Sequence, residues 1–172
     1  MLTDWAMLQQ TQLNDLSGSN IECWRCTEMA FESADETNPV WRHPSVNAIQ
    51  CAIVDALIDG RWRRFYTLAG DAPAADWGVV VGHAPAELEP VAADSTIYRN
   101  FLLSSLPCGA ISSIYLDTDS CGMVGRIELQ IGNDCVSLAA SEVYDNGTGG
   151  FRIADYDESI LVQLNNRIPG CG

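Results

Sequence analysis

Lysine is missing from this 172-residue chain, and all nine basic residues are arginine. That absence removes Schiff-base chemistry and the lysine of a phosphate-binding P-loop. Histidine is scarce: His43 precedes Pro44 in a polar stretch, and His83 precedes Ala84-Pro85. No G-x-S-x-G elbow, H-E-x-x-H helix or G-x-G-x-x-G turn occurs, so no hydrolase, zinc-protease or dinucleotide signature is assembled. Nor is there a basic segment followed by an apolar core at the N-terminus, which predicts no secretory signal. The longest uncharged stretch, 100–116, contains Pro107, Gly109 and four serines, which is not the composition of a membrane-spanning helix.

What the chain does contain is acid. Twenty-three carboxylates against nine arginines give a net charge of −14. The excess is spread along the chain, with −6 over residues 1–86 and −8 over 87–172. Such a field repels nucleic acid and anionic lipid and attracts basic partners. The local cluster "RWRRFY" at 61–66 does not reverse this reading, because strand alternation would split its cations and aromatics between two faces. Seven cysteines, an odd number, read as reduced thiols in a cytoplasm. Cys23 and Cys26 form a C-x-x-C, but neither a βαβ context nor a second ligand pair accompanies them. No metal or other cofactor is expected.

The hydrophobic pattern predicts one α+β domain over 1–172. Thr3 would cap a helix through Leu16, with Trp5, Leu8, Gln12 or Leu13, and Leu16 on one face and Gly18 ending it. A second helix is predicted over 95–106 from the stripe Ile97, Tyr98, Phe101, Leu102 and Leu106, stopped by Pro107. Between them, Asp59-Gly60 marks a hairpin between two candidate strands, though 46–54 fits a helix as well. "DWGVVVG" reads as a buried strand. The C-terminal half alternates at period two, with strands at 111–116, 124–131, 135–139, 151–153 and 159–164 joined by turns at 117–122, 132–134 and 145–150. Short connections make this an antiparallel meander, with at least two helices packed on one face.

"LDTDSCGMVGRIE", residues 116–128, has the spacing of an EF-hand loop: Asp117 first, Asp119 third, Gly122 at the turn, Glu128 twelfth. Yet Ile127, Leu129 and Ile131 alternate with polar residues, which makes Glu128 part of a strand. At about 3.3 Å per residue it would lie roughly 20 Å from the turn. The stretch is therefore read as a hairpin with an acidic tip. "DYDESI", 155–160, is a second acidic turn beside a strand.

In size, acidity, α+β pattern and the meander "GRIELQIGNDCVSLAASEVYDNGTGGFRIADYDESILVQL", the chain resembles the small acidic immunity proteins with which bacteria neutralise their own toxins. The resemblance implies a non-catalytic, protein-binding role: occlusion of a toxin's cleft, with carboxylates mimicking an anionic substrate if the toxin is a nuclease. The candidate partner-binding residues are Asp145, Asp155, Asp157 and Glu158, with Asp117 and Asp119 as a second cluster, facing a basic protein surface. The alternatives are a small enzyme pairing a cysteine with His43 or His83, and a structural subunit of a larger assembly.

Overall fold

Strands occupy 58% of the chain and helix 6%, in a computed structural model that describes residues 4–32, 37–70 and 76–170. One helix, α1 (Asp4–Asn14), precedes nine strands. These are β1 (Asn20–Met29), β2 (Ile49–Ile58), β3 (Arg61–Ala69), β4 (Trp77–His83), β5 (Tyr98–Leu102), β6 (Gly109–Thr118), β7 (Val124–Ile131), β8 (Asp134–Asp145) and β9 (Phe151–Leu164). The α+β expectation, with two or more helices on one face, is thus overturned: the fold is all but entirely antiparallel β.

The missing helix was expected at 95–106. That stretch instead runs extended as β5, pairing Tyr98 with Met29 and Leu102 with Arg25 across β1. Its apolar stripe is consumed differently, since Leu103 and Leu106 plug the core from the turn that follows, while Leu102 is 66% exposed. Trp24 locks that turn by donating from Nε1 to the Pro107 carbonyl at 2.8 Å and accepting at its own carbonyl from Leu103. A short apolar stripe fits either period, and here a non-local ladder decides against the helix.

Elsewhere the sequence patterns hold. Asp59 and Gly60 both have positive φ, 49° and 73°, as a two-residue hairpin turn between β2 and β3 requires. From Ile49 the ambiguous 46–54 region is strand. β7 alternates as expected, with Ile127, Leu129 and Ile131 buried. β6 to β9 form the predicted meander, except that 151–153 and 159–164 belong to one long strand. The first helix forms, although its expected cap, Thr3, lies outside the described residues. Leu13 enters the core from it and Leu16 from the turn after it, whereas Leu8, expected on the same face, is exposed, and Gln10 ties the helix to the β6–β7 turn by donating to the Gly122 carbonyl at 2.8 Å.

The sheet closes on itself. β2, β9, β8, β7, β6 and β1 pair in succession, and β1 returns to β2 along its length, all antiparallel. A ring of six strands leaves no open edge within it. β3 and β4 extend from β2, while β5 continues along β1 on the side that β6 occupies further down. The interior is filled by alternate residues of the ring, among them Trp24, Val54, Ile127, Leu138 and Ile160, with Phe65, Val79 and Val81 added from β3 and β4.

One buried carboxylate braces this closure, and a second fastens β5 to β1. Asp55 on β2 lies directly between Arg25 on β1 and Arg64 on β3 in the ladder. Its Oδ2 accepts from Arg25 Nε and Nη2 at 3.1 and 3.0 Å, and its two oxygens accept from Arg64 Nε and Nη2 at 2.8 and 3.0 Å. Arg25 also stacks on Trp62 at 3.7 Å and donates to the Ala86 carbonyl at 2.7 Å. Glu28, equally buried, holds Arg42 and Arg99, and Arg99 lies over Trp41 at 4.1 Å. The "RWRRFY" patch is dismantled by the same contacts: Trp62 backs Arg25, Arg64 is neutralised, and Phe65 is core.

A buried anion between two cations is costly to break, since removing one partner strands the others. Asp55→Ala is expected to lose about 3 to 5 kcal/mol of unfolding free energy, measured by urea denaturation. A loss under about 1 kcal/mol, the scale of an exposed ion pair, would contradict the role assigned to it.

Candidate functional site

β9 does not follow β8 evenly. Ile160 pairs with Ala140, but the next residue of β8, Ser141, pairs with Asp155. Residues 156–159 are therefore extra, a four-residue bulge from Tyr156 to Ser159 within the acidic stretch. Tyr156 takes a positive φ of 57° within it, an unusual conformation for an aromatic residue. Its ring sits on Gly125, where any Cβ would come within 2.5 Å of it. Further contacts anchor the bulge: Thr67 Oγ1 donates to the Glu158 carbonyl, and Ser141 Oγ to Asp155 at 3.1 Å.

On one flank of the bulge lies an open cleft of about 480 Å³. Met29, Ile97 and Tyr98 line it, with exposed Glu32 and Glu158 beside them, while Phe31 borders it but is itself buried against Val143 and Phe151. Glu142 of β8 lines it from within. The interior-facing row Val136, Leu138 and Ala140 continues at period two to Glu142, so the carboxylate stands where the core meets the cleft. Glu142 is only 6% exposed. Its Oε2 accepts from Ser159 Oγ at 3.1 Å, and no cation pairs with it among the described residues.

The electrostatics follow from that geometry. Burial, aided by the charges of Asp157, Glu158 and Glu32, pushes the Glu142 carboxyl up to about 7, against which the Ser159 hydroxyl works only in part. Tyr144 donates to Asp157 at 3.0 Å, and burial together with that bond pushes its phenol up to about 12. The environment is built from like charges.

The predicted acidic residues divide between two places. Asp157 and Glu158 belong to the Glu142 cluster. Asp117, Asp119 and Asp155 gather instead around Tyr156, joined by Asp76, and burial together with these carboxylates raises its phenol. Asp145 is apart from both, in the β8–β9 hairpin, accepting from the Gly147 amide at 2.6 Å. Asp119 accepts from the amides of Cys121 and Met123, both at 2.8 Å, so the suspected calcium loop is a self-capped turn with Glu128 out on β7 opposite Ser137. Glu142 and Glu32 were not among the predicted residues. An acid at the next interior position after "VSLAA" was the available signal.

The other motifs resolve as structure. Cys23 and Cys26 lie on β1, not at a helix N-terminus, and Cys26 is buried. Cys51, beside it, has its thiol raised well above the usual range by burial and by Cys26. His43 shares a hydrogen bond with Ser45 and packs its ring edge against Phe151, and His83 pairs with Arg63 at the end of β4. Among the described residues neither histidine is hydrogen-bonded to a cysteine.

No protein-family model, curated protein or solved structure matches this chain.

The folded protein holds the Glu142 proton up to about pH 7, whereas the unfolded chain releases it near 4.5. Between those values the folded state binds more protons, so this group's contribution is fully present below pH 4.5 and is lost as pH rises through 7. Glu142→Gln keeps the shape and removes the titration. The difference in urea stability, variant minus native, is expected to grow from pH 4.5 to 8, by up to about 3 kcal/mol. A constant difference across that range would show that Glu142 is not held out of water.

Proposed function

We propose that the protein is a non-catalytic binding domain that captures a basic protein partner through the acidic cleft, as an immunity protein does when it occludes a toxin. The helical half of that resemblance has gone with the α+β fold, and the reading now stands on charge and on the cleft. Its single carrying observation is Glu142, a carboxylate kept out of water with no cation paired to it among the described residues. Such an arrangement costs free energy in the isolated protein. A partner that brings positive charge to the cleft offsets that cost, whereas a purely solvated acidic surface never incurs it.

The charge inventory supports the same reading. Four of the nine arginines are committed to Asp55 and Glu28, which leaves five arginines against 21 acids for the rest of the chain. The remaining surface is more acidic than the net charge suggests. It steers positively charged proteins inward and turns away nucleic acid and anionic lipid.

A tagged copy expressed in its source cells is expected to recover a basic protein, whose association slows as salt is raised. The triple variant Glu32→Gln, Asp157→Asn, Glu158→Gln should slow that association by roughly tenfold at low salt while leaving dissociation nearly unchanged. If the partner is a toxin, co-expression of the native chain relieves its toxicity. A neutral or acidic partner whose association ignores both salt and the triple variant would defeat the proposal.

A further inference from the structure

Three carboxylates are buried among the described residues: Asp55, Glu28 and Glu142. The first two are treated alike. Asp55 receives Arg25 and Arg64, and Arg25 is backed by the Trp62 ring at 3.7 Å. Glu28 receives Arg42 and Arg99, and Arg99 is backed by the Trp41 ring at 4.1 Å. This chain thus neutralises a buried carboxylate with guanidinium groups laid against an aromatic face. Glu142 shares an open cleft with Tyr98, but among the described residues it has no guanidinium.

We propose that the cleft beside the β9 bulge is a receptor for one arginine side chain of a protein partner, with Glu142 as the counter-ion and Tyr98 as its aromatic wall. The proposal rests on the binding role argued above and names the group that is gripped. Several observations select this ligand. A metal ion fits poorly, because the described residues contain no group of three or more ligating side chains placed around one point, whereas hard cations require several converging oxygens. An ammonium is compact and strongly hydrated, so it gains less beside a buried carboxylate and an aromatic residue than a planar guanidinium does. The apolar walls Met29 and Ile97 suit the methylene stem, and Glu158 and Glu32 at the rim lie where the rest of a basic segment would pass. A cleft of about 480 Å³ has the capacity of an ordinary small-ligand site.

The test uses the full chain and a blocked amino acid, so it does not depend on finding the partner. Backbone-amide NMR is recorded at pH 8 while N-acetyl-arginine methylamide is added, with the corresponding blocked lysine and blocked citrulline as controls. Citrulline has the arginine shape without the charge. The arginine probe is expected to give saturable shifts at Phe31, Tyr98, Glu142 and Glu158, the lysine probe weaker ones, and citrulline none that saturate. Glu142→Gln, whose fold is checked in the same spectra, should weaken the arginine probe on the order of tenfold.

Equal responses to arginine and citrulline on the native protein would overturn the proposal whatever the variant does. So would arginine shifts centred on Asp117 and Asp155, or unchanged affinity in Glu142→Gln. Those results would leave the recovery of a basic partner standing. Conversely, a failed recovery with a positive arginine titration would remove the immunity reading and keep the receptor.

Discussion

Asp55 is the point at which the sheet is fastened into a ring. A carboxylate with no exposure, bound by arginines from the strands on either side, fixes the register of β1, β2 and β3 together, because a slip of one residue would bury a cation against nothing. The closed ring then positions everything downstream. Where β1 runs out, Gln50 on β2 donates to the Ala30 carbonyl at 3.0 Å and accepts from the Val143 amide at 2.7 Å. One buried side chain thereby ties the continuation of β1 to β8. That tie sets Phe31 and Glu32 against the strand that carries Glu142, and the cleft is the gap between them.

The same economy of cations explains the surface. A chain with no lysine and few arginines places four of them against two buried acids, stacking two on tryptophans that hydrophobic burial supplies anyway. Around the β9 bulge burial raises Glu142, Tyr144 and Tyr156, and the neighbouring acids add to it. Structure and charge are therefore linked: the interactions that hold the fold withdraw positive charge from the face that is argued to bind.

The strands whose partners are adjacent in sequence were legible in advance. β7 shows its alternation plainly, and the turns at Asp59-Gly60, 132–134 and 145–150 carry residues that positive φ or side-chain capping demands. Non-local pairing was not legible. β1 was obscured by the C-x-x-C pattern, which drew attention to thiols when Ile21, Trp24 and Cys26 were core positions of a bulged strand. β5 carried a helix-like stripe whose fate depended on β1, about 70 residues earlier. The acidic bulge was seen as a turn between two strands, since nothing local announces that four extra residues interrupt a single one. Glu142 escaped for a related reason: strand β8 was expected to end at 139, and the residue matters only because the strand continues.

The protonation of Glu142 in the free protein is what the account most depends on. Carbon-13 NMR of its side-chain carboxyl, followed from pH 3 to 9, reads that directly. The midpoint is expected at about 7, moving down toward the ordinary carboxylate range when blocked arginine saturates the cleft. A midpoint near 4.5 in the free protein, unmoved by arginine, would mean that Glu142 is an ordinary solvated acid and that the cleft holds no unmet charge.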